Sequence, residues 1–199
     1  MNLNSSLQPS LAPPGAGLPK IELLAARLMF AAGRLAGTRR SINARFEHER
    51  TMIRRLIRTL DADSAARRVL IPRVPGMEDS SRNWSVWMTL DHLRIVHGSI
   101  HRTISELAKG QTPPGTASTA AVKPALQVTG AVVAEYEKSC DDLLATVAAI
   151  ANLRTATRYP HPWFGALDAA GWHALAPAHL KIHRVQIERI LEGLSPGRH

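Results

Sequence analysis

The 199-residue sequence contains a single cysteine, Cys140, which excludes an internal disulfide and any metal cluster built on several thiolates. Cys140 lies among Tyr136, Leu143 and Leu144 at helical spacing, the setting of a buried structural thiol and not of a nucleophile. Aromatic residues make up 5% of the chain against 45% hydrophobic residues overall, and the abundance of Ala, Leu, Ile and Arg suits helices better than sheets. No run approaches the roughly 18 apolar residues of a membrane span. Residues 21–36 come nearest, and Arg27 and Arg34 interrupt them. The Pro-rich segment ahead of them has no basic n-region, so it does not read as a signal peptide. An amphipathic helix on the protein's own surface or against a partner is expected there. Acidic residues are the scarcer charge, 16 against 25 Lys and Arg, for a net +9. The excess sits in the front of the chain: residues 1–75 carry 13 basic and 5 acidic residues, residues 76–199 carry 12 and 11. Such a half attracts nucleic acid or anionic lipid. No groove-reading motif or aromatic interleaving accompanies it, so a solvated Arg-rich helix face is the plainer account and nucleic acid is not an expected partner. One thiol and no span point to a reducing, cytoplasmic setting.

The length fits one domain with a real core. Residues 1–19 are rich in Ser, Pro and Gly and read as a flexible leader. A helical extension follows over residues 20–37, then a bundle over residues 38–194 and a tail over residues 195–199. Within the bundle the periodicity predicts a helix from Thr38 or Ser41 to about Leu60, and a second from the caps at residues 79–81 to about Lys109. A third spans residues 122–153, and a last one follows Asp168, with Pro177 expected to kink it. No segment reads as a strand. Four long helices make the expected fold all-α, an antiparallel four-helix bundle with an extra N-terminal helix.

Three histidines carry the most chemistry. His179 and His183 stand at i and i+4, one turn apart on one helix face, where both rings reach one ion. Nine histidines in 199 residues give roughly 0.4 such pairs by chance, and His97 with His101 is indeed another, so the faces must decide. Ile190, Leu194 and Ile187 fall within about 80° of His179, which puts both His179 and His183 inside the apolar stripe. On the earlier helix His92 borders the core, while His97 points about 140° and His101 about 180° away from it. Any one core-facing histidine reads most simply as a hydrogen-bonded core residue. Three of them on two helices that can face each other read as a metal site, because three neutral imidazoles plus an open position is the catalytic zinc pattern. Asp91 points about 100° from His92, so either a contact behind the ligands or a surface position fits it. His161, between two prolines, fits a turn better than a proton shuttle. Trp84, Trp87 and Trp172 fit core or pocket wall.

The segment Glu-Asp-Ser-Ser-Arg-Asn-Trp84-Ser-Val-Trp-Met-Thr-Leu-Asp-His92-Leu resembles the second-helix signature of the DinB-like proteins. His161-Pro-Trp-Phe-Gly165, Trp172 and His179-Leu-Lys-Ile-His183-Arg-Val-Gln186 resemble the fourth-helix signature of a DinB-related subfamily. The resemblance covers roughly residues 39–194. It implies an up-down four-helix bundle with a divalent metal on His92, His179 and His183, zinc or nickel foremost and iron or manganese also compatible. Related activities include transfer to small thiols such as bacillithiol and mycothiol-dependent isomerisation, and relatives commonly form homodimers. The expected function is therefore a metal-dependent hydrolase or small-thiol transferase acting on a small molecule. The competing expectation is a non-catalytic bundle whose His cluster is structural and whose basic front half serves a protein or nucleic-acid partner. Pro177 and residues 1–38 depart from the family pattern.

Overall fold

The structure, a computed structural model, describes residues 10–195. Its helices are α1 (Lys20–Ala36), α2 (Arg39–Ile57), the short α3 (Ala62–Ala66), α4 (Val86–Ala108), α5 (Val132–Ala149) and α6 (Ala169–Leu194). Each long bundle helix except α5 starts on a side-chain cap. Thr38 and Ser41 form a reciprocal capping box, Ser85 accepts from the Met88 amide, and Asp168 accepts from the Gly171 amide. Two small antiparallel hairpins appear where no strand was expected: β1 (Val69–Leu70) with β2 (Asn83–Trp84), and β3 (Tyr159–His161) with β4 (Gly165–Leu167). Their strands are two or three residues long, too short for an alternating pattern to register.

The fold is all-α, with α2, α4, α5 and α6 as a four-helix bundle around one core that includes Phe46, Ile53, Leu90, Ile104, Tyr136, Leu143, Leu180 and Ile187. Two helices run each way, but not in the alternating chain order that the family resemblance implies. His92 meets His179 while Gln186 reaches back to Ser81, so α4 and α6 are antiparallel. Arg94 pairs with Glu135 and His97 with Ser139, so α4 and α5 run the same way. The order is up-down-down-up. The reason is the connection: residues 109–131 are long enough to return along the whole of α4 before α5 begins.

That crossover also corrects the third helix, which begins at Val132 and not at residue 122. Apolar residues continue the helical spacing upstream, but Pro124 supplies no amide and Gly130 favours a turn. Likewise α4 begins at Val86, and Asp79–Ser81 form a separate 3-10 turn. Helix α6 continues through Pro177 over 26 residues.

Residues 10–19, expected as a flexible leader, are irregular but held: the Ala12 amide donates to Asp79 and the Gly15 amide to Glu78. Residues 1–9 and the rest of the tail lie outside the described residues. Helix α1 lies over α6 and is tied at both ends. Glu22 accepts from Arg73 and from the Gly76 amide, and Arg34 pairs with Asp168. Gly76 sits at φ 87, and a Cβ there would come within 2.7 Å of Ile182, so only glycine makes this turn. Phe30 packs against Phe164 at 4.6 Å between ring centres. The opposite face of α1 is apolar and exposed, with Ile21, Leu24, Leu28 and Leu35 in solvent and the largely exposed Met29 at its edge towards the cavity.

Candidate metal centre

Helix α4 brings His92 into its second turn, inside a stretch, Trp84 to Leu93, that is buried throughout. Helix α6 presents His179 and His183 one turn apart, as the i, i+4 spacing requires. The three Nε2 atoms converge: His92 to His179 is 3.1 Å and His183 to His179 is 3.1 Å. All three rings offer ligand atoms within 4.8 Å of one another. Four-coordinate zinc with N ligands at about 2.0–2.1 Å sets neighbouring nitrogens about 3.3 Å apart, close to this spacing.

Hydrogen bonds behind the rings fix where their lone pairs point. His92 Nδ1 lies 2.6 Å from the Val122 carbonyl, which can only accept, so Nδ1 carries the proton and Nε2 the lone pair. His183 Nδ1 lies 2.6 Å from Gln186 Oε1, and Gln186 Nε2 in turn donates to the Ser81 carbonyl at 2.7 Å. That second bond fixes the amide orientation, so His183 Nε2 is also a lone pair. Two lone pairs therefore face His179 Nε2, which has at most one proton to give. A cation at the centre satisfies all three, and the donor set fits a borderline divalent ion such as zinc or nickel. The hydrogen-bonded Nδ1 protons of His92 and His183 orient their rings and raise ligand basicity. His179 Nδ1 is buried without a protein partner.

Burial, reinforced by the neighbouring His183, holds His92 well below the usual imidazole pKa. The same two causes act on His179, with His92 adding to them. His183 falls to about 4, chiefly through burial, against the opposing hydrogen bond it donates to Gln186. All three are neutral at pH 7 and able to ligate a metal. Trp84 walls the site, 5.1 Å from His92 and stacked nearly parallel to His183. Lys123 stands 5.5 Å from that indole and is bound by Glu78 at 2.9 Å. Burial pushes the Glu78 carboxyl up, but Lys123, Thr119 and the Gly15 amide outweigh it and hold its pKa below the ordinary value. Glu78 thereby fastens the leader and the crossover to the rim of the site.

The site opens onto a cavity of about 1470 Å³ between α4 and α6, roofed by α1, the crossover and the β3–β4 hairpin. Among the described residues His92, His179 and His183 form the one cluster of three or more metal-binding side chains, with no fourth protein ligand.

A model of the DinB superfamily matches residues 45–187. The chain belongs to the DinB superfamily. A solved structure described as TT2238, a four-helix bundle protein, aligns at a TM-score of 0.54 and 22% identity, covering 76% of this chain and 98% of that one. It supports the fold. None of the curated proteins matches.

The other residues singled out in the sequence fall elsewhere. Asp91 is buried, pairing with Arg94 and accepting from the Ala125 amide, so it anchors the crossover. His161 accepts from the Trp163 amide and packs on Phe164 and Trp172, and burial lowers its pKa to about 4. Cys140 is fully buried and its thiol is pushed up to about 12, again by burial. His97 is also fully buried, beside Ser139 and Cys140 on the α5 side of α4, away from the cluster. Gln186 was not foreseen as a supporting residue, although a polar side chain three positions after His183 in an apolar stripe is a readable signal. The Val122 carbonyl has no sequence signal because it is backbone.

Proposed function

We propose that this protein is a metal-dependent enzyme, a hydrolase or small-thiol transferase, with His92, His179 and His183 as ligands. The observation that carries this reading is the convergence of three lone-pair nitrogens with no fourth protein ligand at the edge of a large cavity. Structural zinc sites are closed by four protein ligands, while catalytic sites keep one position open. A divalent ion bound here by neutral ligands supplies Lewis acidity at that position, acidifying a water or a thiol or polarising a carbonyl. The chain's own residues hold the imidazoles in one tautomer, through Val122 and Gln186, and exclude bulk water on the Trp84 side. Zinc and nickel suit the donors best. Metal analysis of untagged protein, followed by thiol-transfer and ester-hydrolysis assays of the metal-loaded form, tests the proposal. Absence of a bound divalent ion refutes it, and a stoichiometric metal with no turnover in either assay returns the cluster to a structural role.

Homodimerisation belongs to the same reading, and the outer face of α1 favours it. Ile21, Leu24, Leu28, Met29 and Leu35 are 59–86% exposed. At roughly 150 Å² per side chain they present on the order of 500 Å², near the upper end of the largest apolar patch on an ordinary monomer. Pairing α1 with its copy would supply most of the approximately 800 Å² per partner of a standard interface. Leu28→Glu should convert a dimer to a monomer in light scattering, and a wild-type monomer at micromolar concentration removes this part of the reading.

A further inference from the structure

The cavity is larger than a small polar thiol requires, and its shape is specific. Along α6 its wall runs from His183 back to Trp172, eleven residues or about 16 Å at helical rise. Val96 and Ile100 of α4, Leu175 of α6, Phe30 of α1 and Phe164 of the hairpin line it. One end holds the three histidines, and the other is closed by the packed rings of Trp172, His161 and Phe164. The roof is the unusual part. Helix α1 precedes the segment matched by the family model, and it lines the cavity with the small residues Ala25, Ala26 and Gly33 beside Met29 and Phe30. Leu or Ile at these three small positions would fill the space, whereas Ile21, Leu24, Leu28 and Leu35 of the same helix are exposed. The gap under α1 is thus an elongated space with apolar side chains from α1, α4, α6 and the hairpin in its wall, charged groups such as Glu22, Arg34 and Lys181 also in the lining, and the three histidines at one end.

We propose that this chamber binds an elongated apolar molecule, an alkyl or acyl chain of about a dozen carbons or its equivalent, with its polar head at the three-histidine end, and that α1 sets the length accepted. The orientation of the head rests on the proposed function above; the apolar chamber and the role of α1 rest on the cavity itself. The ligand class is a single apolar body with one small head group able to reach a divalent ion, such as a carboxylate, thiol or ester.

The test is a homologous series of straight-chain alkanoates from four to sixteen carbons, titrated into the zinc-loaded full chain. Tryptophan fluorescence reports binding, since Trp163 and Trp172 line the chamber. Affinity should rise about 3- to 4-fold per methylene until the chamber is full, then level off near twelve carbons. Gly33→Leu fills space from the roof; a Cβ at Gly33 meets no atom within 4 Å, so the substitution brings no clash at its base. It should move the plateau to shorter chains and weaken the twelve-carbon ligand at least tenfold, with four-carbon affinity and zinc stoichiometry unchanged. Ala26→Trp provides an independent second variant, and melting curves confirm that both fold. Zinc bound without chain-length dependence, or a plateau unmoved in both variants, overturns this inference and leaves the proposed function standing. Chain-length dependence and a shifted plateau in a protein that binds no zinc uphold the chamber and overturn the proposed function instead.

Discussion

Gln186 offers the sharpest test of how the centre is held. It links His183 Nδ1 to the Ser81 carbonyl and is fully buried. Gln186→Met keeps the volume and removes both polar ends, leaving a buried N–H and a buried C=O without partners. Each orphaned group costs about 1–3 kcal/mol, so the apo protein should lose about 2–6 kcal/mol of stability. The His183 ring also loses the bond that selects its tautomer, and loss of such a partner lowers metal affinity about 10- to 100-fold. The two effects separate in the assay. Urea melts of metal-free protein give the first, and zinc competition against a chromophoric chelator at pH 7.5 gives the second. Gln186→Glu provides a control, because a carboxylate still accepts from Nδ1 and should retain affinity while losing stability at the Ser81 carbonyl. Wild-type zinc affinity in Gln186→Met would refute the argument that this hydrogen bond prepares the ligand.

Replacing His179 and His183 together by Ala should abolish stoichiometric divalent metal, measured by elemental analysis, whereas His101→Ala should leave it intact. Pro177→Ala should stabilise the apo fold by up to about 3 kcal/mol, because the new amide can donate to the His173 carbonyl across a continuous helix; a lower melting temperature would mean that the ring's buried packing outweighs the bond. The metal-free protein should weaken on acidification. Burial holds His97 at about 3 and His173 at about 4, below the unfolded value near 6.5. The unfolded chain therefore binds more protons between those values, and the stabilisation, complete above pH 6.5, is lost as pH falls towards 4 and below. Each such histidine contributes about 1 kcal/mol per pH unit in that window. Urea midpoints at pH 7.5, 5.5 and 4.5 check the sign, and a flat profile would refute it.

The three-histidine cluster was legible because helical phase is a local property. His179 and His183 share the stripe of Ile187 and Ile190, and the structure puts all four on one side of α6. The same reasoning failed for His97, since α4 packs against both α5 and α6 and is buried on two faces; a single-stripe analysis assigns only one of them. The start of α5 was missed because apolar spacing carries on through residues 122–131 while Pro124 and Gly130 break the backbone. The parallel course of α4 and α5 could not be read at all. Nothing local distinguishes a loop that turns back at once from one that travels the length of a neighbour, and the choice is made by distant partners such as Asp91 with the Ala125 amide.

The returning crossover has a consequence for how the centre comes into being. His92 waits for a carbonyl 30 residues ahead and for the two other histidines of the cluster 87 and 91 residues ahead. Three remote stretches of chain must therefore meet at one point, and a partly folded protein with α6 undocked has no place for the ion. Contacts of such separation form against a large loop-closure entropy and come late. An ion that binds only the finished fold stabilises that fold alone, by about 2.7 kcal/mol when free metal stands at a hundred times its dissociation constant. A metal held as proposed would then act as a latch on the order of assembly: it could not enter early, and once it had entered, opening the bundle at α4 and α6 would require giving it up.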